Sequence, residues 1–133
     1  MNSNYKRRDE IIWGVYDPER YKSGGCCRFY APAEKAQQLV EEGFIELNET
    51  QNESPSTEEF MNSIVGYEDW VEFECYAISP ERDDYRVTIE GINIWIPIDK
   101  RDDMCRFVEE FRYADEFNIN SDENGFHLRA WWD

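Results

Sequence analysis

Val71-Glu72-Phe73-Glu74-Cys75-Tyr76-Ala77-Ile78 alternates apolar and polar side chains along its length. A period of two puts Val71, Phe73, Cys75 and Ala77 on one side of an extended chain. Glu72 and Glu74 fall on the other, the pattern of a strand with one buried and one wet face. Ser79-Pro80-Glu81-Arg82-Asp83-Asp84 reads as a turn, after which Tyr85, Val87 and Ile89 resume the alternation. Past Glu90-Gly91 the phase slips and Ile92, Ile94 and Ile96 become the apolar set. Such a slip needs either a hairpin or a bulge within one long strand. A hairpin at Glu90-Gly91 is the expectation, and Pro97 closes the segment.

Helices and turns flank this sheet. Downstream, Asp99 is placed to cap a helix in which Met104, Phe107, Val108 and Phe111 share one face, with Asp102 positioned to pair with Arg106. Phe117 to Asn120 and Phe126 to Trp132 then read as a hairpin around Ser121-Asp122-Glu123-Asn124-Gly125.

Upstream, Ser56-Thr57-Glu58-Glu59 has the spacing of a capping box, with Phe60, Met61, Ile64 and Val65 as the buried face of the helix and Gly66 as its stop. Pro32 opens another helix through Ala33, Ala36, Leu39 and Val40, which Gly43 ends. Phe44-Ile45-Glu46-Leu47 is read as a short strand and residues 48–54 as a surface loop. Ile11-Ile12-Trp13-Gly14-Val15-Tyr16 is read as a first strand closed by Asp17-Pro18, and Ser23-Gly24-Gly25 as a turn leading to the apolar run from Cys26 to Ala31. The expected architecture is α+β. Five to seven short, mostly antiparallel strands form a sheet with about three helices on one face, in a single domain over residues 1–133. Residues 1–10 have the composition of a flexible arm.

The formal net charge is −16 on 133 residues. Residues 34–75 carry twelve acidic groups and one basic group, Lys35, whereas residues 1–33 are slightly basic. A surface of this sign opposes direct contact with nucleic acid or anionic lipid and favours a basic partner. No apolar run approaches the roughly 18 residues of a membrane span, and the basic start is followed by too short an apolar run for a signal peptide. The chain therefore reads as soluble and cytoplasmic, with Cys26, Cys27, Cys75 and Cys105 as reduced, mostly buried thiols.

Motifs for chemistry are sparse. Cys26-Cys27 has no further ligands at metal spacing. Asn120, Asp122 and Asn124 alternate as in a calcium loop, but the closing ligand position falls on Trp131 and Asn124-Gly125 suits a turn. His127, the sole histidine, points away from the core with no nucleophile elbow to serve. No catalytic residue, cofactor or metal is assigned.

What remains is an acidic and aromatic surface. Glu41, Glu42, Glu46, Glu58, Glu59, Glu68, Asp69, Trp70, Glu72, Glu74 and Tyr76 are the candidate partner-binding residues. Trp70, Tyr76, Trp95 and Trp131 fall opposite the aliphatic sets, where they reinforce such a surface if that face is open. The leading expectation is a non-enzymatic protein that binds a basic partner, in its sharpest form as a mimic of the phosphate backbone. One alternative is a small-ligand domain or enzyme with a pocket between helices and sheet. The other is a globular domain whose charge serves solubility alone.

Overall fold

In the computed structural model, residues 4–17, 19–21 and 25–133 are described. They hold four α-helices, two short 3-10 helices and one five-stranded sheet. In chain order these are α1 (Tyr5–Trp13), β1 (Cys26–Pro32), α2 (Ala33–Glu41), α3 (Thr57–Ser63), β2 (Val71–Ile78), β3 (Val87–Pro97), α4 (Met104–Phe111), β4 (Glu116–Ser121) and β5 (Gly125–Trp131). The strand order is β1-β2-β3-β5-β4 with every pairing antiparallel, so the expected α+β class holds. The turn residues Ser23 and Gly24 and the strand-closing Pro18 lie outside the described residues.

The period-two reading of β2 is borne out: Val71, Phe73, Cys75 and Ala77 are buried. They join Ile89, Ile92, Ile94, Ile96, Leu128 and Ala130 in one core cluster. Ala36 and Leu39 of α2, Phe60 of α3, and Phe107 and Phe111 of α4 enter the same cluster, so the helices cover this single face. Ser56 and Glu59 form the capping box reciprocally: Ser56 Oγ accepts from Glu59 N (3.2 Å) and Glu59 Oε1 from Ser56 N (3.1 Å).

Several expectations are corrected. The phase slip in β3 is a bulge and not a hairpin. Glu74 lies opposite Gly91 and Cys75 opposite Ile89, which leaves Glu90 as the extra residue of one long strand. Gly91 fits because a Cβ there would come within 2.9 Å of the Ala130 carbonyl oxygen.

Ile11 to Trp13, read as strand, belong to α1, which ends at Gly14 in the left-handed conformation (φ 81°). The buried side of α1 includes Arg8 and Asp9 together with Ile12, so hydrophobic periodicity alone hides the helix. Phe44–Leu47 is a turn: the Leu39 carbonyl accepts from both Phe44 N and Ile45 N, at 2.8 and 3.2 Å. Asp99 caps no α-helix, because residues 98–103 form a 3-10 segment that kinks at Lys100. Arg106 does not pair with Asp102. It donates to the Ser63 carbonyl (3.0 Å) and lies over the Tyr67 ring. Val65 is exposed, and of the four thiols only Cys75 is buried, where burial pushes its pKa up.

Candidate functional site

The sheet has a second face, formed by the polar partners of each alternating strand. Register places Tyr30 beside Glu74, Glu72 beside Asn93, Asn93 beside Arg129, Trp95 beside His127, and His127 beside Asn120. No helix stacks on this face at Tyr30 or Trp95, which are 62% and 47% exposed. Of the four aromatics expected opposite the aliphatic sets, Trp95 is exposed, whereas Trp70, Tyr76 and Trp131 are half-buried.

Its middle is locked by a polar chain. Arg129 grips Glu74 with two parallel bonds, Nε to Oε2 (2.7 Å) and Nη2 to Oε1 (2.8 Å). Glu74 Oε2 also accepts from Asn93 Nδ2 (2.8 Å). A carboxylate only accepts, so Asn93 turns its amide nitrogen to Glu74 and its Oδ1 to His127. His127 Nε2 therefore carries the ring proton in the 2.7 Å bond to Asn93. The imidazole then stacks flat on Trp95, centroids 4.7 Å apart and planes 3° from parallel. Arg28 reaches the bulge residue Glu90 by a single bond, Nε to Oε1 (2.9 Å). Burial and the nearby Arg129 push the His127 pKa below its ordinary value, with Glu74 opposing.

Among the sequence-predicted residues, Glu72 and Tyr76 lie on this face half-buried, and Glu74 lies there buried. Glu74 is thus no free carboxylate, because a cation 55 residues away in sequence holds it. Tyr76 donates its hydroxyl to Gln51 (2.7 Å) and accepts from Arg86 (3.1 Å). Glu68, Asp69 and Trp70 form the 3-10 turn that leads into β2, so Trp70 is not a strand residue, and its ring packs on Tyr67 at 4.9 Å. Glu68 accepts from the Gly66 N–H, which holds its pKa below the ordinary value.

Glu41, Glu42 and Glu46 lie at and after the end of α2, and Glu58 and Glu59 at the start of α3, all exposed. Glu42 is bonded by Arg7 and Gln38, which lowers its pKa. These five belong to the helix layer, across the sheet from Glu72. The predicted residues therefore do not converge on one site.

Sequence reasoning left His127 without a role and missed Tyr30, Asn93 and Arg129. The placement of Trp95 opposite the aliphatic residues was the available signal. The space between helices and sheet is filled, with Phe60, Phe73, Phe107 and Phe111 fully buried. A groove of about 620 Å³ instead opens on the other face, where Trp95, His127 and Phe126 meet Asn120, Asp122 and Asn124. Among the described residues no group of three or more His, Cys, Asp or Glu is placed to hold a metal ion, and no helix is long and apolar enough to cross a membrane.

Comparison with known proteins finds no match among family models, curated proteins or solved structures.

The imidazole links this site to pH. His127 has a folded pKa below its unfolded value near 6.5, so the neutral ring contributes stability in full above that value. The contribution is lost as pH falls through the unfolded pKa toward the folded one. Denaturant midpoints measured from neutral to mildly acidic pH are expected to fall less in His127→Gln than in the parent. Parallel slopes for the two proteins would exclude the effect.

Proposed function

We propose that the chain is a non-enzymatic interaction protein that engages a basic protein partner through the open face of its sheet. The observation that carries this is Trp95 and Tyr30 standing exposed on one sheet face with Glu72 between them. Glu72 lies opposite Asn93 and Pro32, so it is diagonal to Trp95 on one side and to Tyr30 on the other. Among the described residues it makes no ion pair. Large exposed aromatics beside an unpaired carboxylate are the elements of a protein-recognition patch for a cationic surface. Glu74 and Glu90, each held by an arginine, contribute rigidity instead of free charge. The exposed acids of the helix layer act at longer range, where a net charge of −16 draws a basic partner in. A protein that ordinarily grips phosphates carries such a cationic surface, the sharpest form of the proposal.

Glu72→Lys tests the face while sparing the buried Glu74–Arg129 pair. Capture from the host lysate at low salt, followed by titration with the recovered protein, is expected to give binding that weakens steeply as salt rises. Charge reversal at Glu72 should cost about tenfold in affinity at low salt. Affinity that is flat with salt and unmoved by Glu72→Lys would refute the reading.

A further inference from the structure

We propose that the free edge of β4 takes an extended segment of the basic partner as a sixth, antiparallel strand, with apolar and basic residues alternating along it. The inference rests on the partner reading above and names how that partner docks.

β4 is the last strand of the sheet and pairs with β5 alone. The Asp122 N–H donates to the Gly125 carbonyl (3.0 Å), which sets the phase of the ladder. Counting back by twos, Asn120, Asn118 and Glu116 turn their backbone groups toward β5. The other side of β5 agrees. There the Trp132 N–H donates to the Glu90 carbonyl (2.9 Å) and the Ile98 N–H to the Asn124 carbonyl (3.0 Å), so Phe126, Leu128 and Ala130 bond to β3. Phe117, Ile119 and Ser121 therefore point their N–H and C=O groups away from the sheet. Among the described residues none of these groups has a hydrogen-bond partner. Such a row is a template for one more strand, and proteins commonly blunt it with proline, lysine or a bulge. The opposite edge, β1, carries Arg28 and ends at Pro32. Glu116-Phe117-Asn118-Ile119-Asn120-Ser121 has no proline or lysine, and its register with β5 is unbroken.

The side chains along the edge define the occupant. Phe117 and Ile119 lie on the helix side of the sheet, beside the buried Ala130 and Leu128. Ile119 is 39% exposed, an apolar rim that alternate apolar residues of an added strand would cover. Glu116, Asn118 and Asn120 are exposed on the open face. Glu116 is held only at 3.4 Å by Arg129. From Tyr113 to Gly125 the chain carries four carboxylates, Asp115, Glu116, Asp122 and Glu123, and no Lys, Arg or His. That charge favours lysine or arginine at the open-face positions of the incoming strand. It opposes a second copy of this chain, whose own β4 would bring the same carboxylates against these. Every existing pairing in the sheet is antiparallel, the slightly more stable arrangement. In an antiparallel addition the residues opposite Phe117 and Ile119 are the ones whose N–H groups donate to β4.

The probe is a blocked nine-residue peptide of alternating lysine and valine, titrated against the full chain beside a scrambled peptide of the same composition. The alternating peptide is expected to bind about tenfold more tightly. N-methylation of its valine amides should abolish that advantage, whereas N-methylation of its lysine amides, which face away from β4, should leave most of it. Ile119→Pro removes an outward N–H and no β4–β5 bond, and should weaken binding about tenfold. The methylated peptides test the same contact without altering the chain. Equal binding of alternating and scrambled peptides, or equal effects of the two methylations, overturns the added strand. So does sedimentation showing that the chain pairs with itself in a manner lost in Ile119→Pro, since the edge then belongs to a second copy. In those cases salt- and Glu72-dependent capture would still uphold the partner reading. Valine-methylation-sensitive binding with capture unmoved by salt and by Glu72→Lys would keep the strand and overturn the open-face reading.

Discussion

Arg8→Ala is expected to destabilise the fold by about 3–5 kcal/mol, a large part of the 5–15 kcal/mol typical of a domain. Arg8 and Asp9 are both fully buried. The guanidinium donates Nε to Asp9 Oδ1 (3.0 Å), Nη1 to the Ile78 carbonyl (2.7 Å) and Nη2 to the Tyr21 hydroxyl (2.6 Å), and it lies 4.6 Å from the Tyr85 ring centroid. Truncation strands the Asp9 carboxylate in the interior. One of its oxygens keeps only the 3.1 Å bond from Tyr21, and the other already has no hydrogen-bond partner. The cost comes from the orphaned charge more than from the lost bonds, since burying an ion pair gains little over an apolar pair of similar volume. The double variant Arg8→Met, Asp9→Leu should accordingly recover most of the loss. Urea denaturation of the three proteins measures both quantities. A loss below about 1 kcal/mol in Arg8→Ala would show that the pair is not buried as described.

Phe60→Ala should cost a similar amount, about 3–5 kcal/mol, by a different route. Phe60 is fully buried where α3, β2, α4 and the C-terminal tail meet. Its ring lies edge-on to Phe73 (5.7 Å) and to Trp132 (5.5 Å) and stacks with Phe111 (6.0 Å). Removing it opens a cavity among three rigid rings that cannot close without moving the sheet or α4. The near-UV dichroism of the folded variant should change as Trp132 loses a neighbour, and the unfolding midpoint should fall. A loss under about 1 kcal/mol would mean that the rings collapse into the space, contrary to the packing described.

The two variants probe parts of the fold with very different visibility in the sequence. Phe60 was legible because a capping box ahead of it and the spacing to Ile64 mark a helix with one apolar face. Arg8 was not: a charged residue on the buried side of a helix reads as solvent-facing, and its partners Tyr21, Ile78 and Tyr85 are brought to it only by tertiary folding. The same limit explains β3. A phase slip at Glu90-Gly91 is equally a hairpin or a bulge by pattern. The bulge is decided by the pairing of Cys75 with Ile89, the Trp132 N–H donated to the Glu90 carbonyl (2.9 Å), and Arg28 held against the Glu90 side chain.

The candidate surface divides along the same line. That β2 is a strand with glutamates on one face, that β4 and β5 form a hairpin, that Phe107 and Phe111 share a helix face, and that the chain is strongly acidic all follow from residue order and spacing. These properties depend on near neighbours and on composition, which a linear pattern records. Which carboxylates remain free did not follow. Glu72 and Glu74 are equivalent in the sequence, yet Arg129 arrives from β5 to hold Glu74, while Glu72 makes no ion pair among the described residues. Nor did the sequence show that Trp95 stands half-exposed on a braced imidazole. That depends on which side of the sheet the helices choose, and on a chain of bonds from Arg129 through Glu74 and Asn93 to His127 that crosses three strands. Contacts between residues distant in sequence cost loop-closure entropy and form only when the whole core forms with them, so the tertiary structure alone decides them.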